Sequence, residues 1–243
     1  MLFLLRNIRR KMLGNNKIAT YLLYAIGEII LVVVGILIAV SIDDWNKDKQ
    51  NNHRIELALG FLTEELVEDS ITINKLLSTH IRTRDKSKAL FDRAASKEAT
   101  IDTLVQIMSN EFYAYWDKHF AFNKAAYDNM LNGGVLELME DSLKLRITDV
   151  YHTYERNQIS MDAQNEQYRI PMSDFYTRFP ILPFYPHEEF ESQLNPTMEK
   201  EFHPRAEWLL FLHYYMWNIY INHLEEEKEK VNQLLFILKE DKS

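Results

Sequence analysis

The sequence has no cysteine, and it has only 6 glycines and 6 prolines among 243 residues. The absence of cysteine excludes a disulfide framework, a zinc–thiolate site and a cysteine nucleophile. The scarcity of glycine and proline leaves few turn signals, which favours long helices over a many-stranded sheet. A chain of this length can form one medium-sized domain with an anchor beside it. We therefore expect an all-α fold.

The common motifs of catalysis are also missing from the sequence. It contains no Gly-rich phosphate loop, no H-E-x-x-H and no G-x-S-x-G. Asp149, His152 and Glu155 share a helix face at a spacing of three residues, but metal binding needs a geometry that spacing alone does not supply. We interpret this face as a solvated surface with a charge pair. We predict no catalytic residue, no metal, no cofactor and no enzymatic activity.

Charge is distributed unevenly along the chain. The first 17 residues carry no acid and five basic residues, Arg6, Arg9, Arg10, Lys11 and Lys17. The remaining residues hold 23 basic and 36 acidic side chains, a formal charge of −13. This acidic body disfavours nucleic acid as a partner, because phosphate binding needs clustered positive charge.

A long apolar run, "IATYLLYAIGEIILVVVGILIAVSI", follows the basic segment from Ile18 to Ile42. The part from Tyr21 to Ile42 would be about 33 Å long as a helix, against about 30 Å for the hydrocarbon core of a bilayer. Tyr21, Tyr24 and Trp45 flank the run, where aromatic rings prefer the two membrane interfaces. We predict a transmembrane helix over 18–42. A cleaved secretory signal fits less well, because its apolar core is only about 7–15 residues long.

The charges on either side of the predicted span set its orientation. The positive-inside rule places the basic segment 1–17 in the cytoplasm, either as an amphipathic helix on the inner leaflet or as a plain tail. The polar neck 43–54 and a helical domain over 55–243 then lie outside the cytoplasm. The first partner that the sequence predicts is the lipid bilayer.

Glu28 is the one charged residue inside the predicted span. An ionised side chain deep in a bilayer costs about 2.5–3.5 kcal/mol on insertion scales. Helical spacing places Glu28 on a stripe with Gly35 and Ala39, beside Gly27, and small residues let two helix backbones approach while a polar residue bonds across them. We interpret the span as a self-association helix with Glu28 in the interface. A proton or ion role, and a protonated acid facing lipid, are the alternatives.

The body reads as a series of helices. An apolar rhythm of three and four residues runs from Ile55 to Leu77 and predicts a long amphipathic helix, which could continue from the span without a break. The apolar run Trp208–Ile221 is too short for a second span and is interpreted as a buried core helix. The remaining predictions are a helix over Lys86–Ala95, one capped by Thr100 or Asp102, one ending at the turn Gly133–Gly134 with positive φ at Gly133, one from a capping Asp141 to Pro171, and one from Pro204 to Lys239.

The segment "FYTRFPILPFYPHEEF", from Phe175 to Phe190, combines aromatic residues with three prolines. Proline interrupts regular helices, so we predict an ordered loop packed by its own rings. Such a loop either caps the helical core, which we favour, or presents an aromatic docking edge to a partner or a membrane surface.

Two stretches resemble a known family. "YLLYAIGEIILVVVGILIAVSIDDWNKDK" and "AAYDNMLNGGVLELMEDSLKLRITDVYHTYE" are similar to single-pass membrane proteins of Bacteroidota that form a family with a domain of unknown function. Members typically have a basic N-terminal tail, a "YAIGEIxLVxxGILIA" span that includes the equivalent of Glu28, and a helical body. The resemblance covers about half of the chain. It implies a bacterial inner-membrane location and a helical domain, and it implies no activity. With the orientation predicted from the charges, that domain is periplasmic.

Together these patterns predict a membrane-anchored interaction or scaffold protein. Self-association through the Glu28, Gly35 and Ala39 stripe makes a homo-oligomer the expected state, and another membrane protein is a further candidate partner. An ion-coupled or channel-forming membrane component that uses Glu28 is the alternative, since an acid inside a single span is the layout of several such subunits.

Overall fold

The computed structural model of the protein describes residues 18–114, 121–181 and 196–240. These residues form five α-helices and no strand, which confirms the all-α prediction. A π-helical turn, Ile107–Glu111, follows the second helix, and a 3-10 turn, Leu136–Leu138, precedes the fourth. The helices are α1 Ile18–Ala94, α2 Ile101–Gln106, α3 Ala125–Asn132, α4 Asp141–Arg178 and α5 Pro196–Glu240.

The chain divides into two compact units, Met1–Glu56 and Leu57–Ser243. In the first unit α1 carries the long apolar run, and its large side chains are exposed, Leu31 to 73% and Ile29 to 63%. Such exposure is costly in water because it leaves apolar surface hydrated on every side. Within the described residues, α1 is the one helix that is long and apolar enough to cross a membrane.

The α1 helix contains several segments that the sequence pattern separated. The predicted span, the polar neck 43–54, the amphipathic run after Ile55 and the run that ends near Ala94 are all parts of this single helix. Its interior has no proline, and Gly60 is its one glycine outside the apolar run. Because nothing in the sequence breaks the backbone hydrogen bonds there, the helix has no reason to end before Ala94.

The second unit is built around three long helical segments. α1 contributes one buried stripe, consisting of Leu62, Leu66, Ile73 and Leu77, all at most 7% exposed. Side-chain contacts show that α4 and α5 run antiparallel, since Asp149 meets Lys230 at one end and Asp174 meets Arg205 at the other. This part of the unit is therefore a helical bundle with an apolar interior.

A second part of the core lies where the end of α1, α2, the last turns of α4 and the first half of α5 meet. Its centre is aromatic. Phe175 in the last turn of α4 packs against Phe202 of α5 with ring centroids 5.7 Å apart. Phe179, the C-cap of α4, packs against the same ring at 5.1 Å. Buried aromatic rings each remove a large apolar area from water, so they anchor both helices at this point.

Two prolines that were expected to limit helices lie inside them. α4 continues past Pro171 to Arg178, and α5 begins at Pro196 and passes through Pro204. An internal proline removes one backbone hydrogen bond and costs about 3 kcal/mol. Buried side chains on both sides of each proline offset this cost, and the aromatic cluster around Phe175 and Phe202 holds the two helices together.

The aromatic segment Phe175–Phe190 is accordingly only in part what its prolines suggested. Phe175–Arg178 is the last turn of α4, whereas a loop was predicted there. Phe179 and Ile181 follow the helix and are buried in the core, 2% and 1% exposed, in agreement with the capping interpretation. Residues 182–190 of the segment lie outside the described residues.

Helix ends were predicted with mixed success. Thr100 caps α2 as expected, and its side chain forms a capping box with Thr103. Asp141 is the first residue of α4 and not its N-cap, which is Glu140 with no capping side-chain hydrogen bond. The run Trp208–Ile221 is part of α5, and six of its residues are buried apolar side chains, as expected for a core helix: Leu209, Leu210, Met216, Trp217, Tyr220 and Ile221.

The turn after α3 uses its two glycines differently from the prediction. Gly133 is the C-cap with φ −79, and Gly134, not Gly133, has the positive φ of 66. Gly133 is restricted for another reason, since a Cβ there would lie 2.8 Å from the Asn129 carbonyl oxygen, to which its own N–H is bonded. Both positions therefore exclude a side chain, one by contact and the other by backbone conformation.

Replacing Gly134 by alanine should lower the free energy of unfolding by about 1–2 kcal/mol, because a Cβ is strained at positive φ. Gly60→Ala is the matched control, since its Cβ would meet nothing within 4 Å in the interior of α1. That change should stabilise the protein by roughly 0.5–1 kcal/mol. Denaturant titration of both variants in detergent measures the difference, and equal stabilities would contradict this account of the turn.

Candidate functional site

The residues predicted to mediate self-association lie on α1 in the first unit. Glu28, Gly35 and Ala39 fall within about 40° of one another around the helix axis, with Glu28 in the middle. All three are exposed, and a Cβ on Gly27 or Gly35 would meet nothing within 4 Å. This stripe is therefore an open surface on which another helix backbone could pack closely.

The other residues singled out in the sequence lie elsewhere in the chain. The basic residues Arg6, Arg9, Arg10, Lys11 and Lys17 lie outside the described residues. On α4, Asp149 accepts a hydrogen bond from Lys230 at 2.6 Å, and Glu155 meets Lys124 at 3.5 Å. The residues with described positions include no group of three or more His, Asp or Glu side chains that could hold a metal ion.

A buried serine–histidine pair joins α1 to α5. Ser87 Oγ lies 2.9 Å from His213 Nδ1, and it also donates to the Thr83 carbonyl oxygen at 2.9 Å. Trp217 Nε1 donates to His213 Nε2 at 3.3 Å, so the histidine carries its proton on Nδ1 and donates to Ser87. Burial also lowers the pKa of His213 to about 4. With this tautomer His213 cannot take the serine proton, so the pair is a structural link between helices.

A more unusual arrangement lies deeper in the second unit. Three carboxylates are buried between α1, α4 and α5: Glu65 is 7% exposed, Asp69 5% and Glu227 1%. Among the described residues, no basic side chain makes a salt bridge to any of them. We name Glu65, Asp69 and Glu227 the buried acidic cluster. Acidic side chains are almost never fully buried without a partner of opposite charge. Other groups must therefore stabilise these three carboxylates.

Tyrosines from α4 face the two carboxylates of α1. Tyr151 donates to Glu65 Oε1 at 2.7 Å, and Tyr154 donates to Asp69 Oδ2 at 2.9 Å. Glu65 and Asp69 are four residues apart on α1, and Tyr151 and Tyr154 are three residues apart on α4. Both spacings are about one helical turn, so the two pairs form successive levels of one helix–helix contact. The second oxygen of Glu65 accepts the backbone N–H of Ala126 at 3.0 Å, near the start of α3. Glu65 thus ties α1 to both α3 and α4.

Glu227 enters the cluster from α5. Its Oε1 accepts a hydrogen bond from Asn157 Nδ2 at 3.1 Å, and the same amide group lies 3.4 Å from the His223 carbonyl oxygen. Asn157 is fully buried. Three buried side-chain atoms here have no hydrogen-bond partner: Glu227 Oε2, Asn157 Oδ1 and Thr153 Oγ1. Leaving such atoms unpaired costs about 1–3 kcal/mol each, and proteins rarely accept that cost without a reason.

Burial changes the acid–base properties of this cluster. Desolvation raises the pKa of Glu227 to about 8, against a smaller opposing effect of its bond from Asn157. Desolvation likewise raises the pKa of Asp69 to about 7, and the bond from Tyr154 opposes it. The pKa values of the Tyr151 and Tyr154 hydroxyls also rise, first through burial and then through the adjacent carboxylates. Near neutral pH the cluster therefore holds protons on carboxyl groups and on tyrosines.

Sequence patterns gave only faint signals for this cluster. The apolar rhythm of α1 skips one turn between Leu66 and Ile73, and Asp69 occupies that gap. Glu65 is adjacent to Leu66 in the sequence, and the apolar spacing does not include it in the buried stripe of α1. Glu227 belongs to "EEEKEK", which resembles a solvated face until the structure shows that its side chain is buried. A gap in a helical repeat, filled by an acid, was the one usable signal.

Replacing Tyr151 by phenylalanine should lower the free energy of unfolding by about 1–3 kcal/mol, because buried Glu65 Oε1 loses its donor. Tyr154→Phe should act in the same direction through Asp69. The control is Tyr215→Phe on α5, where the side chain is 48% exposed and the change should stay within about 0.5 kcal/mol. If all three variants match the wild type in denaturant titration, the tyrosine–carboxylate bonds contribute nothing to stability.

Comparison with known proteins places the chain in a family. Residues 28–169, more than half of the chain, match a family of unknown function (DUF6090). The matched segment begins at Glu28 and contains Glu65, Asp69, Tyr151 and Asn157, while Glu227 lies beyond it. No curated protein and no solved structure matches the chain. The chain therefore belongs to the DUF6090 family, whose function is unknown.

Proposed function

We propose that this protein is a membrane-anchored interaction or scaffold protein that self-associates through its first helix. The observation that carries the proposal is the apolar run of α1, whose large side chains are exposed throughout. A bilayer is the solvent in which such a surface is stable. A single span with a helical body and no metal-binding group among the described residues suits attachment and assembly more than chemistry.

The proposed orientation rests on charge. The basic residues Arg6 to Lys17 precede the span without any acid, and "DDWNKDK" after it is mixed. The positive-inside rule then places the body outside the cytoplasm, which in a bacterial inner membrane is the periplasm. The basic segment then faces the anionic lipids of the cytoplasmic leaflet, on the opposite side of the bilayer from the acidic body.

The proposed self-association uses the stripe of Glu28, Gly35 and Ala39. Gly35 offers space for close backbone approach, and Glu28 offers a hydrogen bond that a partner helix can complete. A second copy supplies the same groups at the same depth, which makes a symmetric oligomer the simplest partner. A different membrane protein is the alternative occupant of this stripe.

Glu28 also supports a second candidate function, an ion-coupled or channel-forming membrane component. An ionisable residue inside a span commonly marks a proton or ion path. This function needs an ionisable group at position 28, whereas packing needs only a hydrogen-bonding group. Glu28→Asp and Glu28→Gln therefore separate the two functions. Proton or ion flux that Glu28→Asp keeps and Glu28→Gln loses would favour ion coupling.

The orientation can be tested with single cysteines, because the natural sequence has none. Glu225→Cys lies on an exposed part of α5, and Asn16→Cys precedes the span. A membrane-impermeant maleimide on intact cells should label the first variant and spare the second, and both should react after lysis. Labelling of Asn16→Cys alone would reverse the proposed topology.

Self-association can be tested by native mass measurement of the full chain in lipid nanodiscs. The wild type should form a defined oligomer that Glu28→Gln preserves, because glutamine keeps the hydrogen bond. Gly35→Leu should weaken association at least about tenfold, or about 1.4 kcal/mol, because the larger side chain holds the two helix backbones apart. Val33→Leu, on the opposite face of α1, is the matched control and should have no effect. A wild-type monomer, or an oligomer that Glu28→Gln and Gly35→Leu both leave unchanged, would refute this interface.

A further inference from the structure

The buried acidic cluster has an unbalanced set of charges. Glu65 and Asp69 enter from α1 and Glu227 from α5, and the charge of Asp69 disfavours the ionisation of Glu227. Two cations close in sequence to Asn157 and Glu227 are paired with other acids, Arg156 with Glu226 and Lys230 with Asp149. Ionising all three carboxylates would therefore place three negative charges in the interior with no cation beside them.

The helices packed around the cluster bring further acidic or neutral groups to it. On α1 the charges of Glu65 and Glu68 disfavour the ionisation of Asp69, and on α5 the charge of Glu226 does the same for Glu227. α4 presents the hydroxyls of Tyr151 and Tyr154 and the neutral amide of Asn157, and Asp128 of α3 acts on Tyr151. His223 on α5 has a pKa lowered by burial and contacts Ser160. None of these groups brings a positive charge at neutral pH.

One unpaired atom of Glu227 is also one that a bound proton would change. Glu227 Oε2 and Asn157 Oδ1 are both buried acceptors without a hydrogen-bond partner, and Asn157 Nδ2 bonds to the other oxygen of Glu227 at 3.1 Å. An ionised carboxylate only accepts hydrogen bonds, so it cannot pair with an amide oxygen. A proton on Glu227 Oε2 turns this atom into a donor.

We propose that the seam of α1, α4 and α5 is a proton-binding site, in which Glu227 and Asp69 hold protons when α5 is packed and release them when it separates. The ligand is the proton, and the compartment that supplies it is the one in which the body lies. The packing of α5 against α1 and α4 then responds to the pH of that compartment.

The direction of the response follows from linkage. The folded pKa of each group, about 7 for Asp69 and about 8 for Glu227, lies above its ordinary value. The packed state therefore binds more protons than the open state. Packing is fully favoured below about pH 4, and it weakens as the pH rises from the ordinary pKa of each group to its packed value. Between those two values each group raises the equilibrium constant for opening about tenfold per pH unit.

Hydrogen–deuterium exchange of the full chain in nanodiscs tests this site. Between about pH 6 and about pH 9, protection factors of α4 and α5 peptides, which divide out the intrinsic pH dependence, should fall at least about tenfold in the wild type. Glu227→Gln, which mimics the protonated side chain, should reduce the pH dependence by about tenfold per pH unit up to about pH 8, so that almost none remains above about pH 7. Glu225→Gln, an exposed acid on the same helix, should behave as the wild type.

Asp69→Asn is a second test of the site if Glu227→Gln does not fold. It should remove about tenfold per pH unit below about pH 7, where both carboxyl groups contribute, and leave the dependence between about pH 7 and about pH 8, which belongs to Glu227. Protection factors in the wild type that do not change with pH would overturn the proposal. An undiminished pH dependence in either substituted cluster residue would overturn it as well.

Discussion

The body of this protein is organised by the need to bury carboxylates without a cation. Glu65 and Asp69 lie on the buried face of α1, and their oxygens are satisfied only if tyrosines of α4 stand opposite them. Apolar contacts alone would tolerate a shift of one turn between helices, because leucine and isoleucine stripes pack in several registers. The two tyrosine–carboxylate pairs do not tolerate it, since a shift would leave buried charged groups without donors. They therefore fix the register of α1 against α4.

The position of α5 depends on the same constraint. Glu227 finds its donor in Asn157, and the ion pairs of Asp149 with Lys230 and Asp174 with Arg205 lie at either end of the α4–α5 contact. The exposed ion pairs contribute little to stability, because water and salt screen them. Buried polar groups with few permitted partners give the contact its specificity, while the aromatic core around Phe202 gives it most of its stability.

The fold was predictable from the sequence where a single physical signal dominated. The apolar run of α1, the stripe from Leu62 to Leu77 and the cap at Thr100 each follow from local patterns. Pro171 and Pro204 misled the prediction because tertiary packing on both sides outweighs the loss of one backbone hydrogen bond. Gly133 and Gly134 could not be told apart, since either glycine can supply the positive φ that ends a helix. The acidic cluster combines residues 65, 69 and 227, and no local pattern connects positions so far apart.

The buried tyrosines also give the protein an internal optical reporter. The chain has 13 tyrosines, and burial holds the hydroxyls of Tyr151, Tyr154 and Tyr168 in their protonated form well beyond the range of an exposed phenol. Tyr168 donates to the Ala114 carbonyl oxygen in the aromatic part of the core, whereas the other two serve the carboxylates. Phenolate absorbance from these three residues would therefore develop only when the interior opens. Ultraviolet spectroscopy on the unlabelled chain can in this way separate surface ionisation from the loss of the core.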